Sequence, residues 1–242
     1  MENKEATEVK IDNQKWWYPS LNGKKRIMWC GTHPVQTNGY SRVMYYISKY
    51  LGKYKEIELT VYGFQNFNNF NGQEVIRGDI PKNVIIHDAF AYEDPKRSGF
   101  GEKEIGDYLK KHPQDVIVIF NDSIITSSLT ATIINECGNE RHRFKLVSYM
   151  DQVYRYQKND YINLLNSYYD AIIAFTPYWR DIAYKLGIKK SMPIYVFPHG
   201  FDHKLYYPIN QSIARIYYNY DENDFMVLNL NRNQPRKRWD TT

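Results

Sequence analysis

Val116-Ile117-Val118-Ile119-Phe120-Asn121 is apolar almost throughout and runs straight into Asp122 and the segment Ser123–Cys137. A strand with no polar alternation is buried on both faces, and strands of that kind belong to parallel sheets covered by helices on either side. Asp122 stands where an N-cap belongs, so the sequence predicts a helix over Ser123–Cys137. The same unit recurs in both directions. Strands are expected at Arg26–Cys30, Ile57–Tyr62, Val84–His87, Lys145–Tyr149, Ala171–Phe175 and Ile194–Phe197. Helices are expected at Ser41–Leu51, Glu102–His112, Asp160–Ser167 and Tyr178–Leu186, the last closed by Gly187 at C′. In Ser41–Leu51 the residues Val43, Tyr46, Ile47 and Leu51 recur at helical spacing and give one apolar face. Strands alternating with helices define an α/β fold, a doubly wound Rossmann-like parallel sheet. Residues 1–23 form an irregular leader, 24–203 the main domain, and 204–242 a linker and the beginning of a second domain. That second domain is expected to open on a buried strand, Phe225–Leu230, followed by a basic loop and a helix start at Asp240-Thr241-Thr242. The Asn-, Phe- and Gly-rich stretch Gly63–Gly78 reads as a long loop.

Composition narrows the function classes. The 242 residues are 43% hydrophobic and 24% charged, as in an ordinary globular protein with room for a sizeable core. The net charge of +5 gathers largely in Lys24-Lys25-Arg26 and Arg236-Lys237-Arg238, which suits a local anion site and not the basic stripe of a nucleic-acid binder. Aromatic content of 16% follows a bias toward Tyr, Asn, Ile and Lys together. Cys30 and Cys137 supply neither a disulfide framework nor metal-ligand spacing, and Cys30 reads as a small buried hydrophobe. No apolar stretch approaches the ~20 residues of a transmembrane helix, and the polar start Met1-Glu2-Asn3-Lys4-Glu5-Ala6 is not that of a signal peptide. A cytoplasmic location is the expectation.

Ligands of doubly wound folds sit beyond the carboxyl ends of the strands, so the loops there carry the candidate sites. The first is Gly31-Thr32-His33-Pro34-Val35-Gln36-Thr37-Asn38-Gly39-Tyr40-Ser41-Arg42. Its glycines are too far apart for a dinucleotide fingerprint, which disfavours NAD or FAD. Asn38 and Gly39 sit at a helix N-terminus, where exposed amides favour an anionic group; a plain helix-entry turn explains them equally well. The second is Phe197-Pro198-His199-Gly200-Phe201-Asp202, a hinge and crevice wall built on His199 and Gly200. The third is Asp151, just after a strand, placed to meet a substrate hydroxyl. Asn121-Asp122-Ser123 is explained by capping. The last is Asn231–Thr242, whose Arg232 and Lys237 follow a strand and precede a helix, an arrangement that suits a phosphate.

Together these segments resemble the family 4 glycosyltransferases of the GT-B fold. Asn38-Gly39-Tyr40-Ser41-Arg42-Val43 is similar to the family's glycine-containing first loop, and Thr176-Pro177-Tyr178 lies where the family turns from a strand into a new helix. Phe197-Pro198-His199-Gly200-Phe201-Asp202, with Tyr207-Pro208 after it, is similar to the interdomain signature P-N/H-G-V-D. Leu230–Arg238 is similar to the G-R-x-x-x-x-K-G element that opens the donor domain. The resemblance implies retaining transfer of a sugar from a nucleotide diphosphate to an acceptor. Arg232 and Lys237 would hold the diphosphate and stabilise the leaving group. Gly39 would approach the donor phosphate or the acceptor, and Asp151 stands where many members carry a histidine against the reacting sugar. No cofactor or metal is implied. The implied partners are a nucleotide sugar and a glycan, lipid or protein acceptor, with a separate donor-domain chain or a homodimer compatible with the sequence; no nucleic acid is implied. The family's E-x-x-x-x-x-x-x-E element is absent, and roughly 150 further residues would complete a second domain. The alternatives are a non-catalytic glycan- or protein-binding module, or an epimerase or phosphorylase on the same fold.

Overall fold

The computed structural model describes residues 18–67, 78–93, 98–150, 155–230 and Lys237. The chain divides into two compact units, Met1–His199 and Gly200–Thr242. In chain order the first unit contains β1 (Lys25–Thr32), α1 (Gly39–Leu51), β2 (Ile57–Phe64), β3 (Ile85–Asp88), α2 (Ala89–Tyr92), α3 (Glu104–Lys111), β4 (Val116–Asn121) and α4 (Ser123–Cys137). A 3-10 turn over Gly138–Arg143 leads to β5 (Lys145–Met150), α5 (Asn159–Tyr168), β6 (Ala171–Ala174), α6 (Pro177–Lys185) and β7 (Ile194–Val196). The second unit holds α7 (Gln211–Tyr217).

All seven strands form one parallel sheet in the order β3-β2-β1-β4-β5-β6-β7. The order reverses between β1 and β4, and the crevice above their carboxyl ends is the topological switch point where such folds place ligands. Both faces of the sheet are buried, as the unbroken apolar runs require. On one face Met28, Cys30, Ile117, Ile119, Leu146 and Ile172 pack with residues of α3 to α6 such as Leu109, Leu129, Leu165 and Trp179. On the other, Leu59, Val61, Val118, Phe120, Tyr149 and Ile173 pack with Met44 and Tyr45 of α1. Burial raises the Cys30 thiol well above its ordinary value, which fits its place as a core hydrophobe.

Local devices explain where the elements stop and start. Asp122 accepts from the amides of Ile124 and Ile125 at 3.0 and 3.1 Å, so α4 begins where the cap predicts. Gly187 takes φ +106°, with its amide on the Tyr184 carbonyl and that of Ile188 on the Ala183 carbonyl, a Schellman closure of α6. Helix α1 begins two residues before the predicted Ser41, because Asn38 and Ser41 form a reciprocal capping box. The short α2 escaped the sequence reading; Asp88 caps it through the Ala91 amide.

Two expectations are corrected. Arg26, assigned by sequence to a basic cluster suited to anions, is only 6% exposed and is held by Asp115 at 2.9 Å. The Asp115 carboxylate also accepts from the Arg26 amide, and the guanidinium reaches the Tyr18 carbonyl at 2.7 Å, so the group ties the starts of β1 and β4 together. The buried strand expected at Phe225–Leu230 does not form: Phe225 is 92% exposed and Leu230 84%. A strand needs a neighbour for its amides and carbonyls, and among the described residues of the second unit there is no other strand. The predicted loop Asn231–Arg236 and helix start at Asp240 lie outside the described residues.

Candidate functional site

At the switch point, β1 ends in a turn that buries His33 and then enters α1. The His33 ring lies against Gly63 of β2, where a Cβ would come within 2.6 Å of its Cδ2, so the close approach requires glycine. Burial lowers the His33 imidazole to about 4, against an opposing pull from the Asp88 charge, and the ring is neutral at neutral pH. Beside it, Gln36 donates to Asn66, and Asn66 donates to Asp88 at 2.8 Å, a polar chain joining the ends of β1, β2 and β3. Gln65, at φ +57°, turns the chain out of β2 to bring Asn66 in.

Asn38 caps α1, with its side-chain oxygen 2.9 Å from the Ser41 amide. Gly39 is the first residue of the helix, and a Cβ there would meet nothing within 4 Å. Open space therefore lies over the end of a thirteen-residue helix, at the end that carries its positive pole. The next residue, Tyr40, packs its ring on Phe120 at the end of β4, with centroids 5.2 Å apart, and so bridges the switch point.

Phe120 begins an aromatic cluster that gathers the ends of three strands. It stacks on Tyr149 of β5 at 4.6 Å. His199 stands with its edge to both rings, 6.3 Å from Phe120 and 5.8 Å from Tyr149, and stacks on Phe175 at 5.1 Å and 19°. Two parts of the sequence-predicted site, the Asn38-Gly39 turn and His199, are thus joined through Tyr40 and Phe120. Loss of His199 would remove one wall of this cluster, because its ring has contacts to three of the four others.

Of the remaining site residues, Gly200 and Lys237 are described and belong to the second unit. Gly200 opens the second unit and has no heavy atom within 4 Å of a built Cβ. Lys237 is half-buried. Arg232 and Asp151 lie outside the described residues, although Asp151 directly follows Met150 at the end of β5. Sequence reasoning missed Tyr40, Phe120, Tyr149 and Phe175 as lining residues. Three of them end or follow a strand, and that position was the available signal. A cavity of about 500 Å³ lies at the opposite end of the sheet, among Arg26, Glu58, Thr60, His87, Tyr108 and His112. It is separate from the switch point, and its arginine is already engaged by Asp115.

The seven-stranded parallel sheet and its switch point define a Rossmann-like α/β domain of the GT-B kind. Among solved structures the chain is similar to Anabaena Alr3699/HepE in complex with UDP-glucose, with a TM-score of 0.51 and 14% identity over 80% of this chain and 49% of that one. It is also similar to apo UGT2 of Phytolacca americana, with a TM-score of 0.40 and 11% identity over 80% of this chain and 54% of that one. The chain spans about half the length of these structures. No family model and no curated protein matches the sequence.

Proposed function

We propose that this chain is the acceptor-side half of a glycosyltransferase that moves a sugar from a nucleotide diphosphate to an acceptor, with retention of configuration as in family 4. The observation that carries the reading is the switch point itself. An open glycine at the start of α1 faces the same crevice edge as the His199 cluster, on a fold similar to that of a protein solved with UDP-glucose. An anionic diphosphate or a hydroxyl can approach the α1 amides there without meeting a side chain from residue 39. Arg232 and Lys237 would neutralise the departing diphosphate as its charge grows. Asp151, at the end of β5, would accept a hydrogen bond from a hydroxyl of the acceptor or the transferred sugar. The chemistry asks for fixed positive charge and needs no metal.

One observation favours a second reading, a non-catalytic glycan- or protein-binding module: the described residues after Gly200 form one helix and no sheet. Calorimetric titration of UDP, GDP and UDP-glucose separates the two readings, performed on the chain alone and mixed with the protein encoded immediately downstream. Saturable binding that an Arg232→Ala/Lys237→Ala double variant abolishes supports the transferase. Absence of binding in both conditions overturns it in favour of the module. The anomeric configuration of the product, read by proton NMR, decides retention against inversion.

A further inference from the structure

The cavity beside the edge strand β3 is lined by groups that the switch point does not use. It holds about 500 Å³, a size that suits a small molecule. The pairings of Arg26 with Glu58, Thr60 with Ile85 and Tyr62 with His87 fix its floor, because extended chain sends alternate side chains to one face. Glu58, Thr60, Ile85 and His87 therefore share the face on which Tyr62 packs with Leu109 of α3. One wall is aromatic: the His87 and Tyr108 rings lie 4.3 Å apart between centroids, and those of Tyr108 and His112 4.7 Å. Strand β3 is an edge of the sheet and Ile85 is 48% exposed, so the cavity opens to solvent on that side.

The polar groups of this lining are unevenly used: several donors are engaged within the protein, while two acceptors stand open. The Arg26 guanidinium is held by Asp115 at 2.9 Å and by the Tyr18 carbonyl at 2.7 Å. Ser20 donates to Asn22 at 2.7 Å, Asn22 to Oε2 of Glu58 at 3.2 Å, and Gln114 to the His112 carbonyl at 2.9 Å. Glu58 is half-buried, and its other oxygen, Oε1, has no partner among the described residues. Glu104 lies 2.7 Å from Nε2 of His87 and accepts from the Tyr62 hydroxyl at 2.7 Å. The Glu104 carboxylate can only accept, so it takes the Nε2 hydrogen and leaves the neutral His87 ring with Nδ1 as an acceptor. Burial foremost, then repulsion from the charged forms of His87 and Lys111, lowers the His112 imidazole, which therefore adds no positive charge at neutral pH. We propose that this cavity binds a small organic cation, an amine or guanidinium whose N–H groups meet Glu58 and whose carbon body lies against Ile85 and the His87–Tyr108–His112 wall. A carboxylate bonds such a donor with the help of charge, and ring faces favour a cation over an anion. The proposal does not depend on the transferase reading.

Calorimetric titration of the chain with agmatine, putrescine and n-butylamine at about pH 8, above the ordinary imidazole range, tests the site. Saturable binding of at least one of these cations is expected, with neutral n-butanol and anionic glutarate inert. Glu58→Gln keeps the length of the side chain and an acceptor for Asn22 but removes the charge, and it should weaken binding about tenfold or more. Ile85→Lys tethers an ammonium group in the same cavity and should abolish binding. Neither Glu58 nor Ile85 is fully buried, so both variants should keep the thermal midpoint of the wild type. Three results would overturn the proposal: no saturable binding of any of the cations, equal binding of n-butanol or glutarate, or binding that survives both variants. Glu58→Gln should leave the UDP titration unchanged, and the cation titration needs no nucleotide, so the two proposals fall separately.

Discussion

Val116–Asn121 and Phe225–Leu230 are two runs of nearly the same composition with opposite fates. The first is a central strand with neighbours on both sides and Ile117 and Ile119 fully buried. The second forms no strand and is exposed along nearly its whole length. Hydrophobicity and extended preference are shared, and what differs is the availability of a strand on either side. A parallel strand satisfies its backbone only by pairing, so an apolar run becomes a strand where the tertiary structure supplies an edge.

Truncation draws this contrast most sharply. Ile119→Ala should cost about 2–5 kcal/mol in urea unfolding, the range for emptying a core site, whereas Leu228→Ala should stay within about 0.5 kcal/mol, as at an exposed position. A Leu228→Ala cost comparable with that of Ile119→Ala would mean that Phe225–Leu230 is buried in solution, and the contrast would vanish.

Arg26→Ala asks whether the first unit depends on its buried polar tie as well as on its apolar rows. Removing one partner of the Arg26–Asp115 pair leaves a carboxylate uncompensated, and a loss of about 3–5 kcal/mol is expected. Recovery of most of it in an Arg26→Met/Asp115→Leu double variant would show that the penalty comes from the orphaned charge. Asn38→Ala should cost about 1 kcal/mol through loss of the α1 cap. If nucleotide affinity falls while the unfolding midpoint moves only by that amount, Asn38 touches ligand as well as capping the helix.

The smallest effect is electrostatic. Burial raises the Asp170 carboxyl, but hydrogen bonds from Arg141, the Leu146 amide and Lys145 outweigh it and hold the group below its ordinary value. A depressed carboxyl contributes stability above its unfolded pKa and loses it as pH falls through the folded one. Stability should therefore decline on the acid side of the ordinary carboxylate range, and Asp170→Asn should flatten that limb of the pH–stability curve. An unchanged slope in the variant would assign the acid loss to other groups.

Much of the first unit was legible because its signals are local. The apolar runs fixed the strands, Asp122 and Gly187 marked helix ends, and the unbroken character of Val116–Phe120 announced burial on both faces. The strand expected at Phe225–Leu230 was misread because that run carries the same local signal without a partner, and pairing is not a local property. The candidate site divides in the same way. Asn38, Gly39 and His199 stood out as loop residues beside strand ends, whereas Phe120, Tyr149 and Phe175 looked like ordinary strand interior.

The sequence by itself determined that this chain builds a parallel α/β sheet, where most of its helices begin and end, and which loops follow the carboxyl ends of its strands. Those outcomes depend on period, capping and turn chemistry within a few residues. Only the tertiary structure decided that Arg26 is spent on Asp115, that Phe225–Leu230 stays exposed, and that Phe120 and Tyr149 stack across β4 and β5 beside His199. Each of these depends on pairing between segments far apart in the chain, and a one-residue slip of β5 against β4 would have turned the Tyr149 ring to the other face of the sheet.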